Sequence, residues 1–249
     1  MTIRIEDVGH ARVITLARSE KRNALSASMC EAIERGVNDA GATSTVRGVV
    51  LAAEGNVFAA GGDLAELGAL VDREDGAAQV LAMGRRLAAI EACTVPVVAA
   101  VAGAVFGGGC EMLLLCDWVI VEAGVELTFK HAAMGLAPAW GGASRLIERV
   151  GAAEAGRRLM TAAPARAADA VAIGLADELS PSGGALERAL SFIDQVAKND
   201  RDAVAAQKAS LGAVRRAARG EALVREAEVF ASQWGSDAHR AAMARLAKR

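Results

Sequence analysis

The stretch VPVVAAVAGAVFGGGCEMLLLCD, from Val95 to Asp117, sets the reading of the whole chain. Its first part is short, rich in valine and apolar on both faces, the pattern of a buried strand. Gly103, Gly107, Gly108 and Gly109 crowd the exit, and the helix-favouring run EMLLLC follows. The spacing predicts a strand-to-helix turn where the backbone can approach a ligand closely. Such a turn leaves amide N–H groups unpaired at a helix start, which suits negative charge. Glu111 follows Gly108 by three residues, so both share one helical face, ~4.5 Å apart along the axis. Two readings stand at this point. Either an amide that holds an oxyanion lies beside a carboxylate that moves a proton, or the glycines serve only close packing and Glu111 answers the helix dipole.

Working outward, EGNVFAAGGDLAEL (54–67) repeats the same grammar after a strand read at Val46–Ala52. It gives a second glycine turn, with Asp63 as the N-cap of a short helix. Upstream, strands at Ile3–Val8 and Val13–Leu16 form a hairpin about Gly9 and His10, the latter read as solvated. The polar loop ARSEKRNALS leads to Ser26, a cap for a helix over about residues 27–40. Apolar residues at helical spacing (Val80, Met83, Leu87, Ile90) predict a helix within Glu74–Cys93. Downstream come strands at Trp118–Val121 and Leu127–Phe129, then a helix starting about Ser144. From Ala152 onward the pattern is almost wholly helical, with segments expected at 152–162, 166–173, 183–198, 200–216, 220–233 and 236–248. Alternating strands and helices indicate an α/β core. The change in character near residue 195 divides a core, 1–195, from a helical C-terminal region, 196–249.

Composition narrows the function. The chain has 249 residues, 53% hydrophobic and only 3% aromatic, so its core is built from many small contacts. It contains no tyrosine, which removes a phenolic acid or base. The net charge of −2 is spread over interspersed signs, so neither nucleic acid nor an anionic membrane is an expected partner. Pro96 and the glycines break the one long uncharged stretch. Cys30, Cys93, Cys110 and Cys116 form no CxxC pair and no secretion signal is read, so reduced thiols in the cytoplasm are expected. His10, His131 and His239 are far apart in sequence, and no metal site is expected.

With both turns in hand, the sequence resembles the enoyl-CoA hydratase/isomerase family, the crotonase superfamily. The ordered pieces are RSEKRNALS (18–26), FAAGGDLAEL (58–67), GAVFGGGCEMLLLCD (103–117) and MGLAPAWGGASRL (134–146). The resemblance implies a spiral of ββα units whose C-terminal helices mediate assembly into trimers or paired trimers. It assigns a thioester oxyanion hole to the N–H groups of Gly62 and Gly108. It places coenzyme A, carried as part of the substrate with no tightly bound cofactor, against Lys21, Arg22, Asn23, Leu25, Ala60, Leu64 and Lys248. Apolar stripes (Val204, Leu211, Val214; Leu223, Phe230) fit burial against a neighbouring subunit.

The sequence departs from the family pattern in one telling place. Hydratases of this family carry one carboxylate where Glu111 stands and a second seven residues before the proline of GLxP. Counting back from Pro138 gives His131, a residue able to act as acid or base near neutrality. The leading expectation is hydration or isomerisation of an enoyl-CoA, with Glu111 as acid/base and His131 in support. The segment FKHAAMGLAPAWGGASRL (129–146), together with Trp234-Gly235, looks like the ethylmalonyl-CoA decarboxylase branch. That makes decarboxylation of a 2-carboxyacyl-CoA the alternative. A third reading, an acyl-CoA binder without catalysis, leaves a buried Glu111 unexplained.

Overall fold

The computed structural model describes residues 2–246. Lys248, an expected coenzyme A contact, lies outside the described residues. The chain opens with the hairpin β1 (Ile3–Val8) and β2 (Ala11–Leu16), followed by α1 (Ala27–Ala42). Ser26 caps α1 as its spacing predicts, accepting the Met29 N–H at 3.2 Å. The pattern strand, strand, helix then repeats. β3 (Gly48–Ala53) and β4 (Val57–Ala59) lead to α2 (Leu64–Gly68), α3 (Gly76–Leu87) and α4 (Ala89–Ala92). β5 (Val97–Val101) and β6 (Ala104–Phe106) lead to α5 (Gly108–Leu113). β7 (Trp118–Glu122) and β8 (Glu126–Thr128) lead to α6 (Gly142–Thr161). After these come β9 (Ala165–Arg166), α7 (Ala167–Ala172), β10 (Glu178–Ser180), α8 (Ala185–Val196), α9 (Arg201–Gln233) and α10 (Asp237–Leu246).

After the opening hairpin, whose two strands share the larger sheet, each of the next three units lays its first strand on that sheet and its second on another. The larger sheet runs β1-β2-β3-β5-β7-β10 and the smaller β4-β6-β8-β9. Pairing is parallel throughout except at β1/β2 and β8/β9. The central strands are valine-rich because both faces are covered, and their side chains alternate between two clusters. Val49, Leu51, Val97, Ala99 and Val119 enter the main core, whereas Val50, Val98 and Ile120 pack beneath Ala185, Ala189 and Ile193 of α8. Both glycine turns therefore leave strands of the smaller sheet at one end of a fully buried scaffold.

Four readings are corrected. β9 and β10 interrupt a region expected to be almost wholly helical, being too short to show a period of two. The helix expected within Glu74–Cys93 is split into α3 and α4 at Ala88. Gly220 does not end a helix: α9 runs unbroken for 33 residues. Glycine costs about 1 kcal/mol inside a helix, and ion pairs from the preceding Arg219 to Glu91 and Glu148 tie that turn to the core. Phe230, read as part of an intersubunit stripe, is buried in its own chain against Leu70 and Val80. Leu211 and Val214 of the same stripe are exposed, at 68% and 73%.

Candidate active site

The two turns meet. A Cβ built on Gly61 would fall 3.2 Å from the Phe106 carbonyl and 3.4 Å from the Gly108 nitrogen, so the backbones touch. Gly107 enters α5 at φ +51°, which turns the following amides outward. Among the described residues neither the Gly62 nor the Gly108 N–H reaches a protein acceptor. Both glycines line a cavity of about 440 Å³. Two free amides in one wall can hold a single developing oxyanion.

Behind Gly108 stands a rigid support. The Trp140 ring presses so closely on Gly108 that a Cβ there would lie 2.4 Å from it, and the indole N–H donates to the Val80 carbonyl at 2.9 Å. Behind Gly62 the nearest group is the tip of the Leu67 side chain, 2.6 Å from a built Cβ. One amide is braced by an anchored ring, the other by a flexible methyl.

Glu111 is 1% exposed and both of its oxygens are occupied. Oε2 accepts the N–H groups of Trp140 at 2.7 Å and Gly142 at 3.0 Å, and Oε1 accepts the Ala139 N–H at 3.3 Å. His131 Nε2 lies 2.9 Å from Oε1. The carboxylate thus organises the 139–142 turn, which carries the bracing tryptophan, and orients the imidazole. Glu111 does not line the cavity; His131 does, and its buried Nδ1 has no protein partner among the described residues. A carboxylate–imidazole pair of this kind fixes the orientation of the ring.

Asp63 is the carboxylate among the described cavity-lining residues, and it too is engaged. It caps α2, accepting from Ala65 and Glu66, and pairs with Arg18 at 2.6 Å. Burial pushes this carboxyl up, but the Arg18 guanidinium and the two amides outweigh burial and hold it below the ordinary carboxylate range.

Of the residues expected to meet coenzyme A, Lys21, Arg22, Ala60 and Leu64 line the cavity. Asn23 and Leu25 do not. Asn23 is fully buried at φ +51°, its amide donating to the Glu54 and Val57 carbonyls, and Leu25 is a core side chain bridged to Gly62 through the backbone. They hold the loop in place. Lys130, His239 and Met243 also line the wall, and none was read from sequence as a ligand contact. Lys130 stacks over the Phe106 ring at 4.0 Å, with Arg22 over the same ring at 5.5 Å, so the cavity carries cations fit for phosphate. Met243 and His239 come from α10. Their signal is legible in retrospect, since His239, Ala242, Met243 and Leu246 fall at i, i+3, i+4 and i+7 on one helical face.

The sequence profile of the enoyl-CoA hydratase/isomerase family matches residues 9–249. The ethylmalonyl-CoA decarboxylase of Rattus norvegicus is 33% identical over 240 residues, covering 95% of this chain and 80% of the relative. That of Bos taurus is 31% identical over 239 residues, covering 95% and 78%. Among solved structures, an enoyl-CoA hydratase/isomerase from Mycobacterium paratuberculosis superposes with a TM-score of 0.91 at 25% identity, covering 98% of both chains. Pseudomonas aeruginosa OdaA gives 0.89 at 26% identity, covering 100% of this chain and 99% of its own.

Proposed function

The chain belongs to the enoyl-CoA hydratase/isomerase family of acyl-CoA enzymes, and on that premise we propose that it decarboxylates a 2-carboxyacyl-CoA. One observation carries this reading over hydration or isomerisation: among the described residues, the wall offers no unengaged carboxylate to activate water or shuttle a proton. Glu111 is spent on three amides and His131, and Asp63 on Arg18 and the α2 cap. Loss of carbon dioxide needs neither base. It needs an electron sink and a proton donor. The names borne by the Rattus and Bos relatives support the same choice.

The steps follow from the geometry. Lys21, Arg22 and Lys130 hold the phosphates of the coenzyme, and the thioester oxygen accepts from the Gly62 and Gly108 amides. The bond between the 2-carbon and its carboxylate breaks, carbon dioxide leaves, and the electron pair forms an enolate whose negative oxygen sits between those amides. The 2-carbon then takes a proton from water admitted to the cavity, while His131, oriented by Glu111, stands on the wall. One proton is consumed per turnover and the product is the acyl-CoA. Metal and second cofactor have no step in this sequence.

Parallel incubation with ethylmalonyl-CoA and crotonyl-CoA, read by mass spectrometry, tests the reading. Loss of the mass of carbon dioxide from the first, with the second unchanged, is the expected result; hydration of crotonyl-CoA alone overturns it. We also propose that copies assemble as trimers or paired trimers through the apolar groove between α6 and α9, where Ile147 and Val214 are exposed at 48% and 73%. Light scattering is expected to give three or six times the 25.5 kDa chain mass, and a monomer at micromolar concentration contradicts it.

A further inference from the structure

α10 brings to the cavity a titratable group that the steps above do not use. His239 stands on its first turn, 1% exposed, and is one of the residues that line the cavity. Nδ1 accepts the Gly235 N–H at 3.1 Å. A nitrogen that accepts carries no proton, so the ring proton is on Nε2. Burial pushes the imidazole below its ordinary value, which keeps the ring neutral at pH 7. Nε2–H meets no acceptor among the described residues, and the residue lines the cavity.

The ring cannot swing away. The Trp234 ring packs on it with centroids 4.6 Å apart, the His239 N–H donates to Ser236 Oγ at 3.3 Å, and Trp234 is itself tied to the Leu70 carbonyl at 3.2 Å. A near-buried donor of fixed tautomer without an acceptor weakens a fold, and its presence on a cavity wall points to an acceptor supplied by ligand. An acyl or enoyl chain presents only C–H groups beyond the thioester. A 2-carboxyacyl chain presents a carboxylate one bond from the reacting carbon. The neighbouring wall is apolar, formed by Leu64, Met134, Leu136, Met243 and Leu246.

We propose that His239 is a specificity-determining residue whose Nε2–H donates to the 2-carboxylate of the substrate, selecting 2-carboxyacyl thioesters over acyl thioesters of equal length. The proposal rests on the decarboxylase reading and names the group that recognises its substrate. Neutrality matters for the chemistry. A lysine or arginine here would pair with the carboxylate and stabilise it in the ground state, whereas a single neutral donor orients it among apolar side chains. Its charge is then better accommodated at the enolate oxygen between Gly62 and Gly108 than where it starts.

The test compares wild type with His239→Leu, His239→Gln and His239→Asn, using ethylmalonyl-CoA and butyryl-CoA. For His239→Leu, kcat/KM on ethylmalonyl-CoA is expected to fall about 10- to 100-fold, chiefly through KM, while calorimetric affinity for butyryl-CoA moves by less than about twofold. The glutamine amide reaches the place of Nε2 and should restore most of the selectivity; the asparagine amide reaches only that of Nδ1 and should not. Equal loss of both ligands, or asparagine outperforming glutamine, overturns the proposal. If His239→Leu does not fold, the glutamine and asparagine pair decides alone. If wild type binds ethylmalonyl-CoA but does not turn it over, the decarboxylase reading fails. The calorimetric preference for ethylmalonyl-CoA over butyryl-CoA, present in wild type and lost in His239→Leu, still upholds the role of His239, and its persistence in the variant overturns it.

Discussion

The two glycine turns are built alike and supported differently. Each leaves a strand of the smaller sheet, offers one free amide to the cavity and carries a carboxylate at the start of the following helix, Asp63 in the first and Glu111 in the second. Asp63 acts locally, capping its own helix and meeting Arg18 across the loop. Glu111 acts at long range, fixing the turn at 139–142 and with it the ring that braces Gly108. The difference teaches that a local pattern can seat an amide while distant partners decide how rigidly it is held, and rigidity is what an oxyanion site needs.

The largest break in the comparison is expected at Glu111. In Glu111→Gln, an amide NH2 would face N–H donors on either oxygen position. Unfolding in urea should show a loss of about 2–5 kcal/mol, with turnover abolished. Near-native stability with turnover lost would instead make Glu111 the proton-transfer group.

Next come the glycines themselves. Gly108→Ala drives a methyl into the anchored Trp140 ring and should lower kcat about 100-fold, the cost of losing one oxyanion donor. Gly62→Ala meets only the mobile end of Leu67 and should cost about tenfold or less. Equal losses would show that the two supports are equivalent.

A smaller effect is expected at Asp63. Asp63→Ala removes an N-cap and a partly buried ion pair, about 1–2 kcal/mol by chemical denaturation. Because its folded pKa is depressed, the contribution is full above the unfolded value, near 4, and disappears as pH falls through the folded value. Wild type and Asp63→Ala should therefore converge in stability in acid, and a constant gap down to pH 2 contradicts that linkage.

The smallest effect concerns how dry the second turn is. Burial pushes the Cys110 thiol well up, and Cys30 and Cys116 up to about 12 each. Native protein at pH 8 should resist iodoacetamide at these three positions and take it up once unfolded. Rapid native labelling of Cys110 would show that the turn is open to water.

Much of this was legible in the sequence, and the limits have physical causes. Both turns, the Ser26 and Asp63 caps and the alternating scaffold depend on neighbours within a few residues, so periodicity and turn chemistry expose them. The engagement of Glu111 does not, because its partners lie 28 to 31 residues away in a loop whose path only the fold determines. Asn23 and Leu25 stand in a segment whose resemblance implies ligand contact, yet burial turns their side chains to the protein. His239 was passed over because a lone histidine in a helical tail carries no motif. Its apolar face was visible, but what that face covers was not.

The central claim is that the paired amides stabilise an enolate made by loss of carbon dioxide, which is then protonated at the 2-carbon. Turnover of ethylmalonyl-CoA in heavy water tests this most directly. The account predicts one carbon dioxide and one butyryl-CoA per substrate, with a single deuterium at the 2-carbon. Unchanged ethylmalonyl-CoA, alongside crotonyl-CoA gaining the mass of water in the same solution, would contradict it.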